Sequence, residues 1–196
     1  MTHRRLTAIA VGTVLALAAM LVLDATPAYA YNTWNDHRLW SGVGDYGYNN
    51  QYYYVDGSAG AYLGTATAAM DDWIYTTERT GITTPISFLR TTYRPASIID
   101  VFQINYVAPW WGFTTHYNGD AEIEPTDGNW SWTLVQLDGA FAQCRNQQGV
   151  IAHEMGHALG LAHVDTMSSV MYVDIAHTSV TAAVADDLYG INHLYP

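Results

Sequence analysis

Apolar residues recur along this chain with two different spacings, which predict a mixture of helices and strands. Between residues 61 and 77 they return every three or four positions, the spacing of one face of an α-helix. Asp56 and Ser58 precede this segment with side-chain oxygens that can cap a first turn, and Gly81 follows it. The pattern predicts an amphipathic helix over residues 61–77. Its stripe comprises Leu63, Thr67, Met70, Trp73 and Ile74.

Short runs of branched and aromatic residues predict the strands. They cover residues 51–55, 85–91, 98–106 and 130–137. Helical spacing returns over residues 141–160 and again over residues 180–195. The inward face of the last helix is predicted to comprise Ala183, Val184, Leu188, Ile191 and Leu194. This order indicates an α+β fold, in which a twisted, mostly N-terminal sheet with one backing helix is followed by two more helices.

Two segments are predicted to lack regular structure. Residues 108–129 contain two prolines and three glycines and are predicted to be a loop. Residues 31–60 are rich in aromatic residues, and all but the strand at 51–55 is expected to be loop. These aromatic residues either pack the terminus onto the domain, which we favour, or contact substrate. They are Trp34, Trp40, Tyr46, Tyr48, Tyr52, Tyr53 and Tyr54.

Residues 1–30 have the parts of a secretory signal peptide. Arg4 and Arg5 give a positive start, residues 6–23 are an apolar run, and Ala28 and Ala30 form a small-residue cleavage site. We expect cleavage after Ala30 and export from the cytoplasm. An N-terminal membrane anchor is the alternative, because the run approaches the length that spans a bilayer, but the cleavage site favours removal.

Residues 31–196 are predicted to form one domain. Their charge and cysteine content limit the partners that this domain can bind. These residues carry 17 acidic residues and five arginines, a formal charge of −12, and the whole chain lacks lysine. Such a surface repels nucleic acid and anionic membranes, so neither is an expected partner. Cys144 is the only cysteine, which excludes an internal disulfide. It is a small buried residue, which we favour, an intermolecular partner, or a free thiol.

The strongest chemical signal lies in residues 153–163, where three histidines share one short stretch. His153 and His157 are four residues apart, so a helix projects both imidazoles from one face. His163 would face away if the helix continued, but Gly160 can adopt the left-handed conformation that ends a helix and turns the chain. Three neutral imidazoles with an open fourth position are the ligand set of a catalytic zinc ion.

Glu154 follows the first histidine directly and is predicted to be the general base. It would accept a proton from the attacking water and pass it to the departing amine of a peptide bond. A site that only stores zinc does not need this carboxylate, so hydrolysis is favoured. Two alternatives stay open: a secreted protein that uses zinc for stability and binds a ligand through its aromatic N-terminal region, and a zinc hydrolase of a non-peptide amide or ester.

Residues 153–163 resemble the signature of the metzincin metallopeptidases, His-Glu-x-x-His-x-x-Gly-x-x-His. Metzincins have a methionine turn after this signature, and Met171 stands eight residues beyond His163, with a spacing similar to that of the matrixins. The resemblance implies a secreted, extracellular zinc endopeptidase with a zincin-like fold, protein or peptide substrates and a monomeric state. It also implies that Met171 supports the three imidazoles from below. Val164 departs from the matrixin pattern, in which a small hydroxyl residue is usual.

The resemblance implies further roles for neighbouring segments. The strand at 130–137 would present its edge to a peptide, and one of its two faces, either Ser131, Thr133 and Val135 or the residues that alternate with them, would line the cleft. Residues 172–179 would form the wall of the specificity pocket. One of Asp186 and Asp187 would anchor the methionine turn or the new N-terminus.

The resemblance to matrixins does not extend to their structural metal ions or to their latency mechanism. Matrixins carry structural zinc and calcium near the segment equivalent to 108–129, but their usual histidine and glycine-rich loop is missing, and His116 is predicted to be a surface residue. The same segment contains four acidic residues, Asp120, Glu122, Glu124 and Asp127. They either bind a calcium ion or form a solvated acidic loop, and their spacing matches no calcium motif. Cys144 lacks the context of a latency-conferring propeptide cysteine.

Overall fold

A computed structural model describes residues 30–196, so the predicted signal peptide lies outside the described residues. These residues contain eight strands and four α-helices. The strands are β1 Asn32–Thr33, β2 Gln51–Val55, β3 Phe88–Thr91, β4 Ile99–Gln103, β5 Gly112–Asn118, β6 Ala121–Ile123, β7 Trp132–Leu137 and β8 Leu161–Ala162. The helices are α1 Leu63–Ile74, α2 Thr77–Thr80, α3 Gln147–Leu159 and α4 Ala185–Leu194. The arrangement confirms the predicted α+β class.

Six strands form one mixed sheet in the order β3-β2-β4-β7-β5-β6. The first four strands of that order are parallel, while β5 is antiparallel to both of its neighbours. The two remaining strands, β1 and β8, pair with each other and bring the N-terminal segment to the end of α3. The predicted strand at 51–55 has the observed bounds, and the other predicted strands are shorter than expected.

The prediction of a loop over residues 108–129 is wrong, because this segment contains β5 and β6. Polar residues occupy inward positions of β5: Thr114 and His116 are buried against α3. The alternation of apolar and polar residues that reveals a half-buried strand is therefore absent from the sequence.

The prediction that residues 130–137 form the edge strand of the cleft is also wrong. Strand β7 lies between β4 and β5, and the side chains of Thr133 and Val135 are fully buried, so neither lines a cleft. Ser131 donates a hydrogen bond to the Tyr117 carbonyl instead. At the end of the sheet opposite β3, the open edge belongs to β5, because β6 covers only its last three residues, 116–118.

Each long helix begins later than its apolar pattern predicts. A 3-10 turn, Gly57–Tyr62, precedes α1. Cys144 is extended and Asn146 caps the first turn of α3, accepting a hydrogen bond from the Gly149 N–H, so this helix cannot begin at residue 141. Residue Val184 is extended immediately before α4. None of the helices in residues 30–196 combines the length and apolar character needed to cross a membrane.

The core lies between the sheet and the packed pair α1 and α3. Trp73 is fully buried there, and its indole N–H donates to the Ala152 carbonyl of α3 at 3.0 Å. Met70 shares this interface, whereas Leu63, Thr67 and Ile74 are only partly buried. The predicted inward face of α4 is buried except for the half-buried Val184. Cys144 is buried, in agreement with the favoured interpretation.

Candidate metal centre

Three imidazoles meet at one point where α3 ends. His153 and His157 project from one face of α3, and Gly160 ends the helix with a φ of 111°. The chain then turns through β8, which returns His163 to the same side. The Nε2 atom of His163 lies 3.1 Å from the Nε2 atoms of both helical histidines. All three residues therefore direct one nitrogen into a common space.

The hydrogen bonds of the two helical imidazoles determine which nitrogen carries the proton. Nδ1 of His153 lies 2.8 Å from the Val170 carbonyl, and Nδ1 of His157 lies 2.8 Å from the Leu161 carbonyl. A carbonyl only accepts, so each Nδ1 donates and each Nε2 presents a lone pair. Burial lowers the pKa of His153 to about 4 and that of His157 well below its usual value, which keeps both rings neutral.

This donor set fits zinc. Lone pairs that face each other at 3.1 Å repel unless a cation lies between them. Nitrogen ligands 2.0–2.1 Å from a tetrahedral zinc ion lie about 3.3 Å apart, close to the observed spacing. The carbonyl partners of Nδ1 are the supporting contacts that zinc-ligating histidines usually make.

Glu154 is buried beside the histidines and is held by a neighbouring strand. The Thr114 hydroxyl lies 2.8 Å from the Glu154 carboxylate and 3.0 Å from its backbone carbonyl. Burial raises the pKa of Glu154 to about 7, so this carboxyl can gain and lose a proton near neutral pH.

Gly112 allows β5 to approach Glu154 this closely. A Cβ atom at Gly112 would lie 2.6 Å from Cγ and 2.7 Å from Oε1 of Glu154, and 2.9 Å from a methyl group of Val150. The first position of the strand therefore has room for hydrogen alone. Neither Gly112 nor Thr114 was predicted as a site residue, because the strand that carries them was not recognised.

His116 was predicted to lie on the surface, but it is buried beneath α3. Its Nε2 lies 3.1 Å from the His157 carbonyl, and its ring contacts Trp130 edge-on at 4.3 Å. Burial lowers the pKa of His116 to about 4, so it donates as a neutral ring. The next two carbonyls of α3 receive the Trp130 indole N–H at 3.0 Å and the Tyr195 hydroxyl at 2.9 Å. Side chains from three regions thus satisfy the carbonyls that a helix end leaves open.

Asp187 holds the methionine turn. Its carboxylate accepts hydrogen bonds from the Ser169 hydroxyl at 2.5 Å, the Val170 N–H at 3.2 Å and the Val184 N–H at 2.9 Å. Met171 follows directly, and its sulfur occupies the space that a Cβ at Gly156 would need. The other candidate aspartate, Asp186, accepts a hydrogen bond from the Ala30 N–H at 2.9 Å.

Replacing Asp187 with Ala is expected to lower the free energy of unfolding by about 3 kcal/mol, because three donors lose a buried acceptor. Chemical denaturation of the variant and the parent measures the difference. Asp186→Ala is the matched control on the adjacent, less buried residue and should change stability by less than about 0.5 kcal/mol. Equal losses for the two variants would contradict the assignment of the turn to Asp187.

The N-terminal segment supports the third histidine. The Asn32 side-chain amide donates to the His163 carbonyl at 2.7 Å, and the Trp34 N–H donates to the Gly160 carbonyl at 3.3 Å. The Trp34 ring packs 5.7 Å from the His157 ring and lines the cleft. Both proposed roles of the aromatic segment are therefore combined in Trp34, which packs the terminus and also faces the cleft.

Replacing Asn32 with Ala is expected to weaken zinc binding by about tenfold, because the loop that carries His163 loses its tie to β1. Competition with a chromophoric chelator measures the affinity directly. Asn49→Ala, at an exposed turn remote from the histidines, should leave it unchanged. An unaltered affinity in the Asn32 variant would show that β8 alone positions His163.

A cleft of about 550 Å³ opens over the three histidines and Glu154. Val150 and residues 173–177 line the cleft near the start of α3, where Asn146 donates to the Ile175 carbonyl, in agreement with the predicted pocket wall; Trp34, which bonds to the Gly160 carbonyl, marks the opposite end of α3. Glu124, Pro125 and Trp34 line the other end. Among the described residues, the histidine triad is the one group of three or more potential ligands that converge within metal-binding distance. The acidic residues of the 120–127 segment do not converge in this way, so the structure gives the calcium alternative no support.

Comparison with known protein families agrees with this geometry. A family model described as Matrixin matches residues 85–196, more than half of the chain. The matched region begins just before β3 and includes β5, α3, the methionine turn and α4. It therefore contains all three candidate ligands and Glu154.

Proposed function

The chain belongs to the matrixin family of zinc endopeptidases, and on that basis we propose that residues 31–196 are an exported, monomeric catalytic domain. Matrixins are typically secreted, and they act on protein substrates. The charged start, apolar run and small-residue site of residues 1–30 support removal of this segment after Ala30. The observation that carries the catalytic assignment is the convergence of His153, His157 and His163 beside Glu154.

The chemistry is divided between the metal and Glu154. His153, His157 and His163 would hold a zinc ion, which would act as a Lewis acid and make water acidic enough to deprotonate at about pH 7. Glu154 is the general base: its carboxylate accepts the proton of the attacking water. The same carboxyl then delivers a proton to the departing amine. The Thr114 hydroxyl restricts the rotation of the Glu154 side chain throughout.

The free edge of β5 is suited to bind an extended substrate. The Trp111 and Tyr117 carbonyls accept hydrogen bonds from the N–H groups of Asp138 and Ser131, which flank β7, so alternate residues between Trp111 and Tyr117 also face β7. Gly112 and Thr114 therefore direct their backbone N–H and C=O groups away from β7, towards the cleft. We assign these two residues the main-chain pairing with a peptide, in place of the predicted pairing with residues 130–137.

Met171 and Gly160 have supporting roles in this proposal. The Met171 sulfur packs on Gly156, between the two helical ligands, where a larger residue would displace it. Gly160 has a φ of 111°, and a Cβ there would lie 2.7 Å from a methyl group of Leu194. Both residues keep the three imidazoles in register without taking part in proton transfer.

Metal removal tests the function. Purified protein comprising residues 31–196 should contain one zinc ion per chain, cleave casein, lose that activity with a strong chelator and regain it when zinc is restored. Cleavage that persists after complete metal removal would contradict the proposed mechanism. A protein that binds zinc and cleaves no peptide would instead support the alternative of a zinc-stabilised binding protein.

A further inference from the structure

The cleft has acidic side chains at both ends and no arginine in its walls. Apart from Glu154, its charged lining residues are Glu124 and Asp174. The chain has no lysine, and none of its five arginines beyond residue 30 lines the cleft. Arg94 pairs with Asp100, and Arg79 donates to backbone carbonyls near α1 and α4. The protein part of the site is therefore anionic along its length.

At the end nearest Val150, an aspartate of the cleft wall is bonded to a neighbouring histidine. Nδ1 of His177 lies 2.6 Å from Oδ1 of Asp174, and both side chains are largely exposed. The Asp174 carboxylate accepts, so Nδ1 of His177 donates to it, and the second carboxylate oxygen of Asp174 has no partner among the described side chains. Asn146, at the start of α3, donates to the Ile175 carbonyl and holds this wall in place. A substrate side chain at this end meets acceptors that are best matched by a cationic donor.

At the opposite end of the cleft, which Trp34 also lines, Glu124 offers a carboxylate to a cationic side chain. His37 and Asn35 bond to the backbone of the two residues that follow Glu124, at 3.1 Å to the Pro125 carbonyl and 3.3 Å to the Thr126 carbonyl. The backbone next to Glu124 is thereby fixed. Its exposed carboxylate takes part in no ion pair with any side chain in residues 30–196.

Aromatic rings add a second attraction for cations. Trp110 stacks on Phe113 with ring centroids 5.5 Å apart, and both line the cleft together with Trp34 and Trp111. The face of an aromatic ring attracts the guanidinium of arginine and the ammonium of lysine. The rings and the two carboxylates favour the same class of side chain through different interactions.

We propose that this endopeptidase selects peptides that carry arginine or lysine on either side of the scissile bond, with Asp174, bonded to His177, recognising one side and Glu124 the other. The inference rests on the proposed function and concerns its substrate class. An acidic cleft with apolar walls concentrates the field of its charges, which attracts cationic peptides and repels anionic ones. Because the carboxylates are exposed, each is expected to contribute a few-fold effect that salt weakens.

The test compares quenched fluorescent peptides that differ only at one position flanking the cleavage site. Each position carries Arg, Gln or Glu in turn, and kcat/KM is measured for the zinc-loaded protein. We expect the Arg peptides to be cleaved at least about tenfold faster than the Glu peptides, with the Gln peptides between them. Raising the salt from about 0.05 M to about 0.5 M should slow cleavage of the Arg peptides and leave the Gln peptides unchanged.

Single variants test which carboxylate recognises the residue on each side of the scissile bond. Asp174→Asn should lower the preference for Arg over Glu about threefold on one side of the scissile bond, and Glu124→Gln should do so on the other side. Asp120→Asn removes the same charge from a surface turn outside the cleft and should change neither ratio.

The outcomes separate this inference from the proposed function. Equal cleavage of the three peptides at both positions by the parent protein would overturn the inference and leave the endopeptidase function intact. A preference for Arg that is as large in both variants as in the parent would also overturn the assignment to these residues. Failure of the zinc-loaded protein to cleave casein as well as every peptide would contradict the proposed function itself.

Discussion

Replacing Glu154 with Gln is expected to lower kcat/KM for peptide cleavage by about a thousandfold or more, while the protein keeps its zinc. The amide has the shape of the carboxyl and can still bond to the Thr114 hydroxyl, but it cannot accept a proton from water. The three ligands are unchanged, so the metal content should stay at one ion per chain. Kinetics on a quenched peptide, paired with metal analysis of the same sample, provide the measurement.

Glu122→Gln is the matched control for this experiment. Glu122 is an exposed carboxylate on β6, outside the cleft walls, and its loss should leave kcat/KM within about twofold of the parent. If the Glu154 variant kept more than about a tenth of the parent activity with full zinc content, another group would have to act as the base.

Gly112→Ala is expected to impair the protein in two ways that can be measured separately. The added methyl group would enter the space of Glu154 and Val150, with contacts of 2.6 to 2.9 Å, so either the strand or the catalytic carboxylate must move. Overpacking of this kind costs about 1–3 kcal/mol of folding free energy. A shift of about 1 Å in a catalytic group can lower the rate about a hundredfold. Denaturation and kcat/KM of zinc-loaded protein report the two effects.

Gly64→Ala on α1 shows whether glycine replacement as such is harmful. A Cβ there meets no atom within 4 Å, so the substitution should raise stability by about 0.5–1 kcal/mol and leave activity unchanged. A Gly112 variant as stable and active as the parent would show that β5 can retreat from Glu154 without consequence.

The metal site was predictable because its geometry is set within eleven residues. The four-residue spacing of His153 and His157 and the helix-ending glycine before His163 are local features, and the structure brings the three imidazoles together as the sequence predicts. The support around the ligands depends on distant parts of the chain. Asn32 is 131 residues from its partner His163, and no spacing in the sequence indicates that contact.

The order of the strands was not predictable for a related reason. Strand β5 places polar side chains against α3, because Thr114 and His116 bond to Glu154 and to the His157 carbonyl. The residues that serve the site thereby remove the hydrophobic pattern by which a strand is recognised. Because the sequence does not reveal β5, it predicts that residues 130–137 form the edge of the cleft and that His116 lies on the surface.

The capping of α3 affects the order in which the protein can mature. A growing chain that has reached His163 already contains every metal ligand, but the Leu159 carbonyl lacks its hydroxyl donor until Tyr195 has also been made. The last turn of α3, next to His157, therefore gains this capping hydrogen bond only when α4 docks. We therefore expect the helix that carries two of the ligands to reach its full stability only after the closing helix has been synthesised.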